Sequence, residues 1–133
     1  MRHPRIVVYE TDGWLAAQVG GLAHQHGWLV RESRQADECA QLLRESGPAV
    51  LLLKLERKLI DELSLLARLN EIVPECPVVV FSDGKLEGAA QRTNLAGLAY
   101  DLGARAVMFP PLTRTAVEDL VAGLMEATIA RNA

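Results

Sequence analysis

The chain has 133 residues, a formal net charge of −3, half of its residues hydrophobic and two cysteines. That length suits one domain, residues 1–133, with a continuous core that needs no staples. Scattered rather than clustered Lys and Arg argue against nucleic acid, and no apolar run approaches the roughly 20 residues of a membrane helix or follows a signal-peptide pattern, so a cytoplasmic location away from membranes is expected.

In chain order, Ile6-Val7-Val8-Tyr9 is a short β-branched run that reads as a first buried strand. Asp12 is placed to cap the helix that follows, where Leu15, Val19, Leu22 and Ala23 recur at helical spacing and Gly27 supplies a stop. Trp28-Leu29-Val30 is a second strand, and Ser33 precedes a helix to about Glu45 with Ala36, Cys39, Ala40 and Leu43 on one face. The unbroken run from Ala49 to Leu53 after Gly47-Pro48 reads as a strand buried on both faces, as in the middle of a parallel sheet. It ends at Lys54, at the carboxyl end of a strand, where open α/β sheets gather ligands and chemistry.

Leu59, Leu63, Leu66 and Asn70 mark a third helix, closed by Pro74. Ile60, Leu65, Leu69 and Ile72 widen its apolar surface beyond one packed stripe, and part of that surplus is expected to face a partner. Val78-Val79-Val80-Phe81 is a fourth strand ending at Ser82-Asp83-Gly84, and a long helix with many small residues runs from about Leu86 to Leu102. Ala106 to Phe109 form a fifth strand broken by Pro110-Pro111, and Thr115 with Glu118 spells a capping box for a last helix. Strict alternation of strand and helix implies a doubly wound α/β sandwich around a parallel sheet with right-handed crossovers.

Taken together, the alternation, Ala49-Val50-Leu51-Leu52-Leu53-Lys54-Leu55, Pro77-Val78-Val79-Val80-Phe81-Ser82 and Gly103-Ala104-Arg105-Ala106-Val107-Met108-Phe109-Pro110-Pro111-Leu112 resemble the receiver domain of response regulators, the CheY-like family. The likeness runs from about Pro4 to Ala127. It implies a flavodoxin-like (βα)5 fold with strand order 2-1-3-4-5. It also implies aspartyl phosphorylation: an Asp ending the third strand accepts the phosphoryl group, acids after the first strand hold magnesium, and a hydroxyl and a lysine contact the phosphoryl oxygens.

Carried over by position, the resemblance puts Lys54 at the phosphoacceptor site, and an ammonium neither accepts the phosphoryl group in that chemistry nor ligates a metal. Glu10-Thr11-Asp12 breaks the usual acidic pair, Ser82 keeps the hydroxyl, Pro110 replaces the lysine, and the aromatic switch position is Val107. A pseudo-receiver is therefore expected, with no catalytic residue, cofactor or metal, and with a pocket made of Glu10, Thr11, Asp12, Lys54, Ser82 and Pro110. Lys54 either pairs with Glu10 or Asp12 in place of the metal, locking one conformation, or extends to solvent.

The family implies a sensor kinase, an output protein or a second copy as partner, through the surface of the fourth helix, fifth strand and fifth helix. Trp14 is a second candidate contact, the other reading being partial burial over the sheet edge. The Pro110-Pro111 bond is a candidate cis peptide.

A different reading is a working receiver, phosphorylated or ligand-switched at a non-standard residue. An enzyme using Lys54 as an amine nucleophile would require a desolvated substrate pocket, to which nothing else in the sequence points. His24 and His26 lie on different faces of a helix, Ser82 has no evident His base, and Gly20-Gly21 and Gly84 form no phosphate-cradling loop. Cys39 and Cys76 lack metal-ligand spacing and read as buried thiols.

Overall fold

A computed structural model describes residues 3–56, 58–82 and 89–132. Five parallel strands, β1 (Arg5–Tyr9), β2 (Leu29–Ser33), β3 (Ala49–Leu55), β4 (Val78–Ser82) and β5 (Ala106–Met108), lie in the order β2-β1-β3-β4-β5. Between and after them run α1 (Trp14–His26), α2 (Ala36–Arg44), α3 (Leu59–Ile72), α4 (Ala89–Asp101) and α5 (Arg114–Arg131). This is the flavodoxin-like, CheY-like architecture.

The period-2 alternation of a strand decides which helix each residue meets. Ile6, Val8, Val50, Leu52, Val79 and Phe81 pack beneath α1 and α5. Val7, Leu51, Leu53, Leu55, Val78 and Val80 face α2, α3 and α4. β1, β3 and β4 are apolar on both faces because helices cover both. Lys54 follows the parity of Val50 and Leu52, so it emerges on the α1/α5 side, in register with Phe81 of β4.

Several local expectations shift. Trp28 precedes β2 rather than joining it: Gly27, at φ 72°, ends α1, and the Trp28 N–H donates to the Ala23 carbonyl at 2.9 Å. Trp28 is buried, with its ring stacked on His26 at 4.4 Å between centroids. Ser33 is the last residue of β2, and α2 starts at Ala36 after an extended Gln35. In α3, Leu65 and Leu69 belong to the core and Ile72 packs against it, so of the surplus only Ile60 stays exposed, at 80%, while Leu59, expected on the packed stripe, is itself 41% accessible.

The cap of α5 is Thr113, whose hydroxyl accepts from the Ala116 N–H at 3.1 Å, two residues ahead of the expected capping box. β5 stops at Met108, before Phe109, and the Pro110-Pro111 bond is cis. Asp83, Gly84 and the expected helix start at Leu86 lie outside the described residues.

Cys39 is fully buried, and the Cys76 thiol donates to the Ala49 carbonyl at 3.4 Å. Burial pushes both thiols up to about 12. No helix among the described residues is long and apolar enough to cross a membrane.

Candidate functional site

The carboxyl ends of β1, β3 and β4 carry the polar side chains singled out from the sequence. The order reverses between β1 and β3, the switch point at which α/β sheets open a crevice. Glu10, the residue after β1, is 3% exposed. Its two carboxylate oxygens accept the N–H groups of Leu15 at 2.8 Å and Ala16 at 2.9 Å. Glu10 therefore satisfies two of the four N–H groups that the first turn of α1 leaves without helical partners.

Asp12 contributes less to the cap than expected, accepting only from the Trp14 N–H at 3.1 Å, because Gly13 at φ 75° turns the chain between it and the helix. A negative charge at a helix N-terminus is favourable. Burial nevertheless dominates and raises the Glu10 carboxyl above its ordinary value, against the two backbone donors that lower it.

Lys54 reaches the same loop from β3. Its ammonium donates to Asp12 Oδ2 at 2.8 Å and lies 4.0 Å from Glu56 Oε1. The side chains of Lys54 and Glu56 are each 12% exposed and that of Asp12 is 56% exposed, so one pair is sheltered and the other half wet. The Lys54 hydrogen bond, foremost, holds the Asp12 carboxyl below its ordinary range. Trp14 is half-buried, with its ring centroid 5.8 Å from the ammonium, within cation–π reach. Of the two alternatives for Lys54, the geometry takes pairing, with Asp12 and not with Glu10.

Glu56 and Glu62, absent from the sequence-derived set, complete the arrangement. Glu56 accepts from the Thr11 N–H at 3.0 Å and from the Thr11 hydroxyl, while its own N–H donates to both oxygens of Glu62, at 2.9 and 3.1 Å. Thr11 thus binds the β3–α3 loop, Glu56 spans the two loops, and Glu62, 8% exposed, holds Glu56 from α3. The one sequence signal for them was position: Glu56 follows Leu55 at the end of the third strand, and Glu62 is an acidic residue in the first turn of the helix after it.

Two cavities flank this cluster. One of about 310 Å³ is lined by Asp12, Trp14, Lys54, Ser82, Pro110 and Leu112, which brings four of the six expected pocket residues to one wall; Ser82 is 3% exposed at the end of β4. The other, about 540 Å³, opens between α2 and α3, with Tyr9, Glu56, Glu62 and Leu65 at its inner wall and Arg34 and Arg68 among its outer residues. Burial, then the nearby Cys39 thiol and the carboxylates of Glu62, Asp61 and Glu56, raise the Tyr9 phenol above its ordinary value.

Neither family models nor curated proteins give a match to the sequence. Among solved structures, a CheY-like response regulator receiver domain protein from Methanospirillum hungatei superposes with a TM-score of 0.73 at 12% identity, over 98% of this chain and 99% of that one. A response regulator from Thermotoga maritima gives a TM-score of 0.74 at 18% identity, over 95% and 99%. NtrX from Brucella abortus gives 0.71 at 20% identity, over 99% of this chain but 28% of the longer one. The shared property is the receiver fold.

The family resemblance implies a magnesium ion beside the acids that follow β1, and the residues present do not fit one. Both oxygens of Glu10 face backbone N–H donors, Thr11 offers a hydroxyl in place of a carboxylate, and an ammonium contacts Asp12 where a cation would be placed. Among the described residues no group of three or more His, Cys, Asp or Glu is arranged to hold a metal.

Proposed function

We propose that the chain is a pseudo-receiver, a signalling module that is not phosphorylated and works through protein–protein contact. The observation that carries this reading is the Lys54 ammonium at the mouth of β3, 2.8 Å from Asp12. Phosphoryl transfer to a receiver needs a carboxylate lone pair at that position and cations around the incoming oxygens. A protonated amine has donors only. The neighbouring carboxylates are held in other work, Glu10 on the start of α1 and Glu56 on Thr11, and Pro110 supplies no charge.

The contact surface is that of α4, β5 and α5, open to a sensor kinase, an output protein or a second copy. Leu98 and Tyr100 on α4 are 46% and 50% exposed, and every residue of β5 is only partly covered, which supports it. The test is incubation with acetyl phosphate and magnesium followed by intact-mass measurement. An unchanged mass is expected; a stable phosphoryl adduct mapped to a carboxylate overturns the reading.

A further inference from the structure

We infer that the Lys54 ammonium is a built-in counter-ion, taking the part that a dissociable divalent cation has in this fold and tying the β1–α1 loop to the β3–α3 loop without any supply of metal. The inference rests on the pseudo-receiver reading and adds to it a mode of control: closure of the two loops is written into the chain rather than conferred by an ion.

The geometry has two strands of support. Asp12 and Glu56, one from each loop, share the same ammonium at 2.8 and 4.0 Å. Each of them also anchors a segment of the β1–α1 loop: Asp12 takes the Trp14 N–H, and Glu56 takes the N–H and hydroxyl of Thr11. Loss of the ammonium would therefore loosen Thr11 and Trp14 together. It would also leave Glu56, 12% exposed, with no cation within ion-pair distance among the described residues, and a sheltered charge that loses its partner is costly. Trp14 and Leu112 line the cavity beside Lys54, whose side chain is 12% exposed, while its partner Asp12 stands 56% exposed at the rim.

A compact point charge with three donors suits this duty. Being covalently attached, it does not respond to the concentration of any ion. A magnesium ion approaching the same oxygens meets a like charge already in place.

The experiment is thermal unfolding of the whole chain, with and without magnesium at matched ionic strength, for the wild type, Lys54→Met and Lys54→Arg. At about 10 mM magnesium the midpoint of Lys54→Met should rise by about 3–6 °C, as the vacated carboxylates gain a ligand, while the wild type and Lys54→Arg stay within about 1 °C. Equal responses in all three, including no response in any, overturn the inference. If Lys54→Met does not fold, acetylation of the native chain, read by peptide mass, replaces it. Lys54 should react several-fold more slowly than the exposed Lys58, and Asp12→Asn should erase much of that protection; equal rates at the two lysines overturn the inference. A phosphoryl adduct on a carboxylate would instead strike the pseudo-receiver reading, so the two failures are told apart.

Discussion

The mouth of β1 and β3 and the edge formed by α4 and β5 are held by different forces. At the mouth, charged side chains tie one segment to another: Glu10 accepts from backbone N–H groups of α1, Glu62 from the Glu56 N–H, Glu56 from the N–H and hydroxyl of Thr11, and Lys54 donates to Asp12. At the edge, the described part of α4 buries only Leu95 and Ala99, and β5 is a three-residue strand with no fully covered position. What fixes that edge is largely backbone, with Gly103 N–H on the Tyr100 carbonyl at 3.1 Å and Arg105 N–H on Val78 at 2.8 Å. The difference is one of means: the mouth is tied by charged side chains reaching between loops, while the edge leaves Leu98 and Tyr100 of α4 exposed.

The contrast is best broken by removing the inner member of the mouth. Glu10→Ala leaves two N–H groups of α1 without acceptors and should cost about 2–4 kcal/mol in urea unfolding, with faster hydrogen exchange confined to the start of α1. A loss below about 0.5 kcal/mol would mean water replaces the carboxylate and the mouth is no more fixed than the edge.

Next is the backbone point of the edge. Gly103 has φ 113°, and an added Cβ would fall 2.5 Å from Asn70 Cγ. Gly103→Ala should therefore cost about 2–3 kcal/mol, from the positive φ and the displaced Asn70, measured the same way.

A smaller effect sharpens the electrostatic side. Asp12 titrates lower in the folded than in the unfolded chain, chiefly because of Lys54. Its contribution is therefore complete above the unfolded value, about 3.9, and is lost as pH falls through the folded one. The stability difference between wild type and Asp12→Asn should be about 1 kcal/mol or less at pH 7, since the carboxylate is half wet, and should vanish in strong acid. A difference that instead grew on acidification would contradict the pairing.

Least of all is expected from Arg68→Ala. The Arg68–Asp37 pair, 3.1 Å apart and 49% and 90% exposed, lies outside the network, and its removal should change stability by less than about 0.5 kcal/mol.

The sheet was legible because β-branched and leucine runs bounded by Gly and Pro leave little choice, and because family likeness supplied the strand order. Of the six expected pocket residues, Asp12, Lys54, Ser82 and Pro110 line one cavity, while Glu10 and Thr11 line the other. The division of roles among them was not legible. Capping rules look at the residue next to the helix, so they pointed to Asp12, whereas Glu10 reaches Leu15 and Ala16 from beyond a left-handed Gly13. Glu56 and Glu62 went unseen because their partners are brought together by the loops: Thr11 lies 45 positions from Glu56. Of the two threonines that could cap α5, Thr113 is extended and does so while Thr115 lies within the helix, a backbone difference that their identity does not advertise.

The two deeply protonated thiols have a practical consequence. Cys39 is fully buried, whereas Cys76 is part-exposed with its thiol turned to the Ala49 carbonyl, and burial pushes both thiols up. A maleimide dye, which needs a thiolate it can reach, would pass over Cys39, so Cys76→Ser alone would clear the chain for a single tagged cysteine on the outer face of α4.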